Sequence, residues 1–220
     1  MRKEVESVVL DYGNVMTRPQ DRELLDEIRR ELGLEYGAFD ALYSAERKRL
    51  DRGELDLEEY WRETLGRHGF DDRLHRAEAY AELDRRSWSA MHETMVTWVG
   101  HLRRHGLRPI LLTNMPEDFY RTRVADAEWF SLFEGSIVSG LIGKVKPNRE
   151  IYEHLISLVQ LPADRILFLD DLTPNVAGAR TVGIEAVLFR SPLETIPRVE
   201  ASYLLPEFPD TAGDPAAEGS

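Results

Sequence analysis

Five short apolar runs constrain the fold of this 220-residue chain more than any other feature: Ser7–Leu10, Arg108–Leu112, Ser136–Val138, Ile166–Leu169 and Ala186–Phe189. They are near-continuous rather than alternating, the pattern of strands covered on both faces in a parallel sheet. Parallel strands need crossover connections, and helical patterns lie between the later runs. Met95–His105 closes with Arg103, Arg104 and His105 before Gly106, placing cations in the last turn and a stop after it. Asn148–Val159 carries Ile151, Leu155, Leu158 and Val159 at helical spacing behind Pro147. A shorter helix is expected over Pro174–Val182, ending at Gly183. Strands alternating with helices predict a doubly wound, Rossmann-like α/β fold with right-handed crossovers.

The stretch from Arg18 to Met91 breaks that alternation. It holds amphipathic helical patterns over Asp21–Leu32, Tyr36–Leu50, Asp56–His68 and Asp72–Met91, with Gly33, Gly53 and Gly69 between them. An all-helical insertion directly after the first strand is expected to cap the sheet's carboxyl edge. The expected organisation is an α/β core over residues 1–17 and 92–200 and a helical cap over 18–91. From about Ser191 a proline-containing, loosely docked extension is expected, with 201–220 a flexible tail finishing in DTAGDPAAEGS.

A net charge of −12 argues against non-specific binding to nucleic acid or anionic membranes, but a local cation and a few basic groups can still dominate a small anion site. The absence of cysteine excludes disulfides, thiolate metal sites and a cysteine nucleophile. The start, MRKEVESVVLDYG, resembles no targeting peptide, and no run approaches the roughly 20 apolar residues that span a bilayer. A cytoplasmic location is the default expectation, and the sequence leaves the oligomeric state open.

Ligands of open α/β sheets collect beyond the carboxyl ends of the strands. Four of the five strands are followed there by groups suited to phosphate or cation chemistry. The first runs into Asp11-Tyr12-Gly13-Asn14 and the second into Thr113-Asn114. The third is followed by Gly143-Lys144-Val145-Lys146-Pro147, and the fourth runs into Asp170-Asp171, with Asn175 beyond. Any one of these has a plain structural explanation as a turn or helix cap. Three carboxylates at one sheet edge, however, repel one another unless a cation sits among them, and a lysine nearby supplies further balance. Lys146 is preferred over Lys144, because the proline after Lys146 starts a helix whose amino terminus would face the same anion.

This order of motifs resembles the haloacid dehalogenase superfamily over residues 5–190, with the helical insertion in that superfamily's cap position. Asp11-Tyr12-Gly13-Asn14-Val15 is similar to the first motif of a subgroup of sugar-phosphate phosphatases that includes a glucose-1-phosphate phosphatase. The resemblance implies a Mg²⁺-dependent phosphatase of a small phosphorylated metabolite, a sugar phosphate being the expected one, working through an aspartyl-phosphate on Asp11. It implies that the other Asp11 oxygen, the Gly13 carbonyl and Asp171 ligate Mg²⁺, with Asp170 holding a metal-bound water or orienting the ligands. Thr113 would donate to a phosphoryl oxygen, and Lys146 would balance charge on nucleophile and phosphoryl group. Asn14 and Asn114 join Thr113 and Lys146 as candidate substrate-binding residues.

One position departs from the resemblance. Most phosphatases of the superfamily carry a second Asp, the general acid and base, where this chain has Gly13. Losing such a group typically costs on the order of 10²–10⁴ in rate. The expectation is either a substrate whose leaving group needs little protonation, such as an anomeric, aryl or acyl phosphate, or a proton donor from the cap. Rival readings are a metal-independent haloacid dehalogenase and a non-catalytic metabolite-binding module. In the cap, Arg47, Lys48, Arg49 and Arg52 read as a solvated helix face, Tyr43 and Trp61 as core, and the histidines as surface or helix-end residues.

Overall fold

The first apolar run becomes the middle strand of the sheet. The computed structural model describes residues 2–209. Its five strands are β1 (Ser7–Leu10), β2 (Arg108–Thr113), β3 (Gly135–Val138), β4 (Ile166–Asp170) and β5 (Glu185–Leu188), all parallel and in the order β3-β2-β1-β4-β5. Val9 of β1 stands between Ile110 of β2 and Phe168 of β4. Successive side chains leave a strand in opposite directions. Val8 and Leu10 therefore join one core with Leu111, Leu167 and Leu169, and Val9 joins the other with Ile110, Leu112 and Phe168. Both faces are covered, which is why the run reads as continuously apolar.

Helices α1 (Arg22–Glu31), α2 (Tyr36–Ser44), α3 (Arg47–Asp51), α4 (Leu57–Arg67) and α5 (Ala77–Ser87) form the helical insertion between β1 and β2, and α6 (Glu93–Arg104) leads back to the sheet. The remaining helices are α7 (Glu117–Phe119), α8 (Ser139–Ile142), α9 (Arg149–Val159), α10 (Thr173–Arg180) and α11 (Pro192–Ser202). The chain builds outward from β1 to β3, then returns to β4 on the other side. The carboxyl end of β1 is thus the switch point of the sheet, and Asp11 is the residue that follows it.

The insertion packs on its own aromatic centre, with Tyr60, Trp61 and Tyr80 buried against one another. It joins the sheet through two antiparallel segments. Arg18 N–H donates to Ala90 C=O and His92 N–H to Met16 C=O, each at 2.8 Å. These bonds explain why the helix expected over Asp72–Met91 stops at Ser87: the main chain of Ala90 and His92 is committed to the stem. That segment also begins as a tight 3₁₀ turn, Asp71–Arg76, rather than as helix.

The helix expected over Tyr36–Leu50 is broken into α2 and α3. The Tyr60 hydroxyl donates to the Tyr43 carbonyl, which a continuous helix would have used for the Arg47 amide. The break re-aims α3, whose end rests on the sheet domain. A Cβ on Gly53 would lie 2.2 Å from the Gly140 carbonyl oxygen, so the glycine at 53 lets cap and core main chains touch.

The carboxy-terminal extension differs from expectation. Ser191 caps α11 by accepting from Glu194 N–H at 3.2 Å, and Ile196 and Val199 are fully buried. Tyr203, Leu205 and Phe208 are buried too, so residues 201–209 are docked rather than loose. Leu204 N–H donates to Lys3 C=O at 2.7 Å, and Phe208 meets His101 edge-on at 5.4 Å. These aromatic and aliphatic side chains supply the apolar area that a tail lacks. The expected disordered tip, 210–220, lies outside the described residues. Phe208→Ala is expected to cost about 3 kcal/mol of unfolding free energy in urea denaturation. A loose tail would leave that free energy unchanged.

Candidate active site

Asp11, Thr113, Lys146, Asp170 and Asp171 come from four separate chain segments and meet at the carboxyl edge of the sheet. Asp11 follows β1, Thr113 and Asp170 close β2 and β4, and Lys146 lies in the connection between α8 and α9. Asp11, Gly13, Asn14, Thr113, Asn114, Lys146 and Asp171 all line one cavity of about 260 Å³. Asp170 lies beneath it, fully buried.

Lys146 organises the acidic groups. Its Nζ stands 2.8 Å from Asp11 Oδ1, 2.7 Å from Asp170 Oδ2 and 3.0 Å from the Leu112 carbonyl. Burial alone would depress the lysine pKa, but the two carboxylates outweigh it and hold the ammonium charged. Asp170 is saturated from below: Asn175 Nδ2 donates to both its oxygens at 2.9 and 3.1 Å, and Leu172 N–H donates at 2.8 Å. Asp171 accepts from Asn14 Nδ2 at 2.8 Å, and burial raises its pKa despite that bond. It does not cap α10, whose N-terminus has no side-chain cap.

Asp11 is the most telling group. Tyr12 N–H donates to Oδ1 at 2.7 Å, the same oxygen that meets Lys146. Among the described residues Oδ2 has no hydrogen-bond partner, so one oxygen is held and one is left for a ligand. Burial pushes the Asp11 pKa up to about 7, with Lys146 opposing and Asp170 and Asp171 adding repulsion. Oxygens of Asp11, Asp170 and Asp171 lie within 4.8 Å of one another. Three carboxylates against one ammonium leave an excess of negative charge among hard oxygen donors, which fits a divalent cation such as Mg²⁺.

Both asparagines line the cavity, and both also hold neighbouring groups of the protein. Asn14 lies at φ +57°, and its amide is spent on Asp171, where it orients a carboxylate. Asn114 accepts from Lys146 N–H at 2.8 Å and donates to Lys146 C=O at 2.9 Å. This two-point clasp fixes the lysine main chain.

Several lining residues escape the sequence reading. Arg47 is not on a solvated face: its guanidinium pairs with buried Asp84 at 2.6 Å and lies over the Tyr43 ring at 4.5 Å. Tyr43 also donates to Asp84 at 2.9 Å. Asp51, one turn after Arg47 on α3, faces the same cavity. The i, i+4 spacing of Arg47 and Asp51 beside aromatic residues was the available signal. Trp88 explains Gly13, because a Cβ there would lie 3.2 Å from the indole edge. A side chain at this position requires an aromatic ring of the cap stem to give by a few tenths of an ångström.

A carboxyl whose folded pKa lies above its unfolded value binds its proton more tightly in the fold. For Asp11, stability is therefore full below the unfolded value of 3.8 and is withdrawn as pH rises toward about 7. Asp11→Asn is expected to raise the unfolding free energy of metal-free protein at pH 7.5 (about neutral), and the gain is expected to vanish near pH 4. Equal stability of the two proteins at all pH values would contradict this.

Comparison with known proteins adds the family. The chain matches the model of the haloacid dehalogenase-like hydrolases over residues 5–183. It is 33% identical to a sesquiterpene phosphatase of Aspergillus oryzae over 102 residues, 46% of this chain and 52% of that protein. The chain spans about half, or less, of the length of the curated relatives it matches. Among solved structures, a HAD-like family hydrolase from Porphyromonas gingivalis superposes with TM-score 0.68 and 21% identity, covering 90% of this chain and 97% of that one. The magnesium complex of a HAD family enzyme from Bacteroides thetaiotaomicron gives TM-score 0.67 and 18% identity, covering 86% of this chain and 94% of the other.

Proposed function

Because the chain belongs to the haloacid dehalogenase-like hydrolases, we propose that it is a Mg²⁺-dependent phosphatase of a small phosphomonoester, with Asp11 as nucleophile. The observation that carries this reading is the asymmetry of Asp11: Oδ1 is held by Lys146 and the Tyr12 amide, while Oδ2 is left without a protein partner beside two further carboxylates. A nucleophile needs one oxygen fixed and one available.

Asp11, Asp171 and the Gly13 carbonyl would hold the cation, and Asp170 would orient the set from below. The bound ion would supply positive charge opposite the phosphoryl oxygens. Lys146 would share the charge that builds on Asp11 and the phosphoryl group, and Thr113, at the end of β2, would donate to a phosphoryl oxygen. Attack by Asp11 Oδ2 on phosphorus expels the alcohol and leaves an aspartyl-phosphate. Water then attacks phosphorus, returns the Asp11 carboxylate and releases inorganic phosphate. The magnesium complex of the Bacteroides enzyme is in keeping with the metal. A metal-independent dehalogenase has no use for the excess of three carboxylates over one lysine.

The cavity wall is largely apolar, formed by Tyr12, Leu57, Trp88, Met115, Phe119 and Leu172. That wall supports a substrate with a hydrophobic body, in keeping with the sesquiterpene phosphatase relative. The first motif supports a second reading, a sugar phosphate, whose hydroxyls Arg47 and Asp84 could meet at the cavity's polar corner. Each buried methylene is worth about 0.8 kcal/mol, so a few suffice to separate the two by well over tenfold in affinity.

Hydrolysis of p-nitrophenyl phosphate is expected to require Mg²⁺, to stop on chelation, and to fall on the order of 10⁴–10⁶ in Asp11→Asn. Turnover unaffected by chelation, or halide release from a haloacid, would overturn the assignment. In a panel with matched Mg²⁺, alkyl or isoprenoid monophosphates are expected to show higher kcat/KM than glucose 1-phosphate. The reverse ranking would favour the sugar-phosphate reading.

A further inference from the structure

The position of the superfamily's usual proton donor is Gly13, which offers no side-chain proton, and Trp88 lies 3.2 Å from where a Cβ would stand. The cavity nevertheless contains carboxyl groups, and their partners sort them. Asp11 is held by Lys146, Asp171 by Asn14, and Asp84 by Arg47 and Tyr43. Asp51 alone among the carboxylates lining the cavity has a side chain with neither a hydrogen-bond nor a salt-bridge partner among the described residues. Among the described residues no histidine lines the cavity.

We propose that Asp51, delivered by the cap at the end of α3, is the general acid and base of the phosphatase reaction. The proposal rests on the phosphatase reading and supplies its missing proton donor. In the first step Asp11 Oδ2 bonds to phosphorus, the ester P–O bond breaks, and the Asp51 carboxyl proton passes to the departing oxygen. In the second, water oxygen bonds to phosphorus, the bond from phosphorus to Asp11 breaks, and the water proton passes to the Asp51 carboxylate. Each cycle returns both aspartates to their starting states.

Asp51 is seated by the main-chain joint between cap and core. The Ser139 hydroxyl donates to the Asp51 carbonyl while accepting from Met115 N–H at 2.9 Å. Two residues on, Gly53 at φ +73° lies against Gly140 with no room for a Cβ. These contacts bind the last turn of α3 to the segments that follow β2 and β3, close in the chain to Thr113 at the end of β2. A cap that moved away would carry the acid with it, so the donor is present only when the cavity is covered.

The groups facing Asp51 set its titration. Burial pushes its carboxyl up to about 6, Arg47 on its own helix and Lys146 from the sheet edge pull against that shift, and Asp84 from α5 adds to it. A donor with that value is neutral often enough to give its proton near pH 6 and charged often enough to take one back.

The test compares two esters, p-nitrophenyl phosphate, whose leaving group needs no proton, and an alkyl phosphate, whose leaving group does. In Asp51→Asn, kcat/KM with Mg²⁺ is expected to fall by about 10²–10⁴ for the alkyl ester and by less than about tenfold for the aryl ester. In the wild-type protein, after correction for each ester's own ionisation, the alkyl-to-aryl ratio of kcat/KM is expected to decline as pH rises through about 6. That profile decides the matter even if Asp51→Asn fails to fold. Equal loss on both esters, or a ratio independent of pH, overturns the assignment of Asp51 while leaving the phosphatase reading intact. If the wild-type protein hydrolyses neither ester, the phosphatase reading falls and the role of Asp51 falls with it.

Discussion

The Nζ of Lys146 lies under 3 Å from carboxylates that arise from two different strands, and its side chain is almost wholly withdrawn from water. In that setting the charges cannot be considered one at a time. Removing the lysine would leave the carboxylates without compensation, typically at a cost of about 3–5 kcal/mol. The Asn114 clasp, the Leu112 carbonyl and the Asn175 bonds all serve to keep this cluster together. Its arithmetic stays unbalanced, with three carboxylates and one ammonium, and the imbalance is what gives the site an appetite for a cation.

That cluster also divides labour among acids of identical chemistry. Asp170 is locked by four contacts beneath the cavity, Asp171 is oriented by Asn14, and Asp11 keeps one oxygen in reserve. Above them the insertion contributes a second polar group, in which Arg47 is tied to Asp84 between aromatic rings. Core and cap thus meet as two charged layers separated by an apolar wall. The close approach of Gly53 to Gly140 sets their spacing without any side chain between them.

Much of this was legible in the chain itself. Strands buried on both faces announce themselves as short unbroken apolar runs, and the polar residues after four of them follow from where such sheets bind ligands. The core of the site, Asp11, Thr113, Lys146, Asp170 and Asp171, was reached that way. Other parts depended on contacts that local pattern does not encode. The break between α2 and α3 follows from the hydroxyl of Tyr60, 17 residues after Tyr43, taking the Tyr43 carbonyl from the helix. Arg47 looked solvated because its neighbours Lys48 and Arg49 are charged, yet the re-aimed helix turns it, with Asp51, toward the cavity. Trp88 over Gly13 pairs a residue at the end of the insertion with one in the core's first motif. The docked residues Tyr203, Leu205 and Phe208 are spaced irregularly by prolines, so no helical or strand period reveals them.

The central claim is that Asp11 bonds covalently to phosphorus. It is tested most directly by quenching the protein in acid during turnover of a phosphomonoester with Mg²⁺, then locating any adduct by mass spectrometry of its peptides. The account expects one phosphoryl group on Asp11, absent when hydroxylamine is added and absent from the Asp11→Asn protein. Continuing turnover with an unmodified Asp11, or a phosphoryl group on another residue, would contradict it.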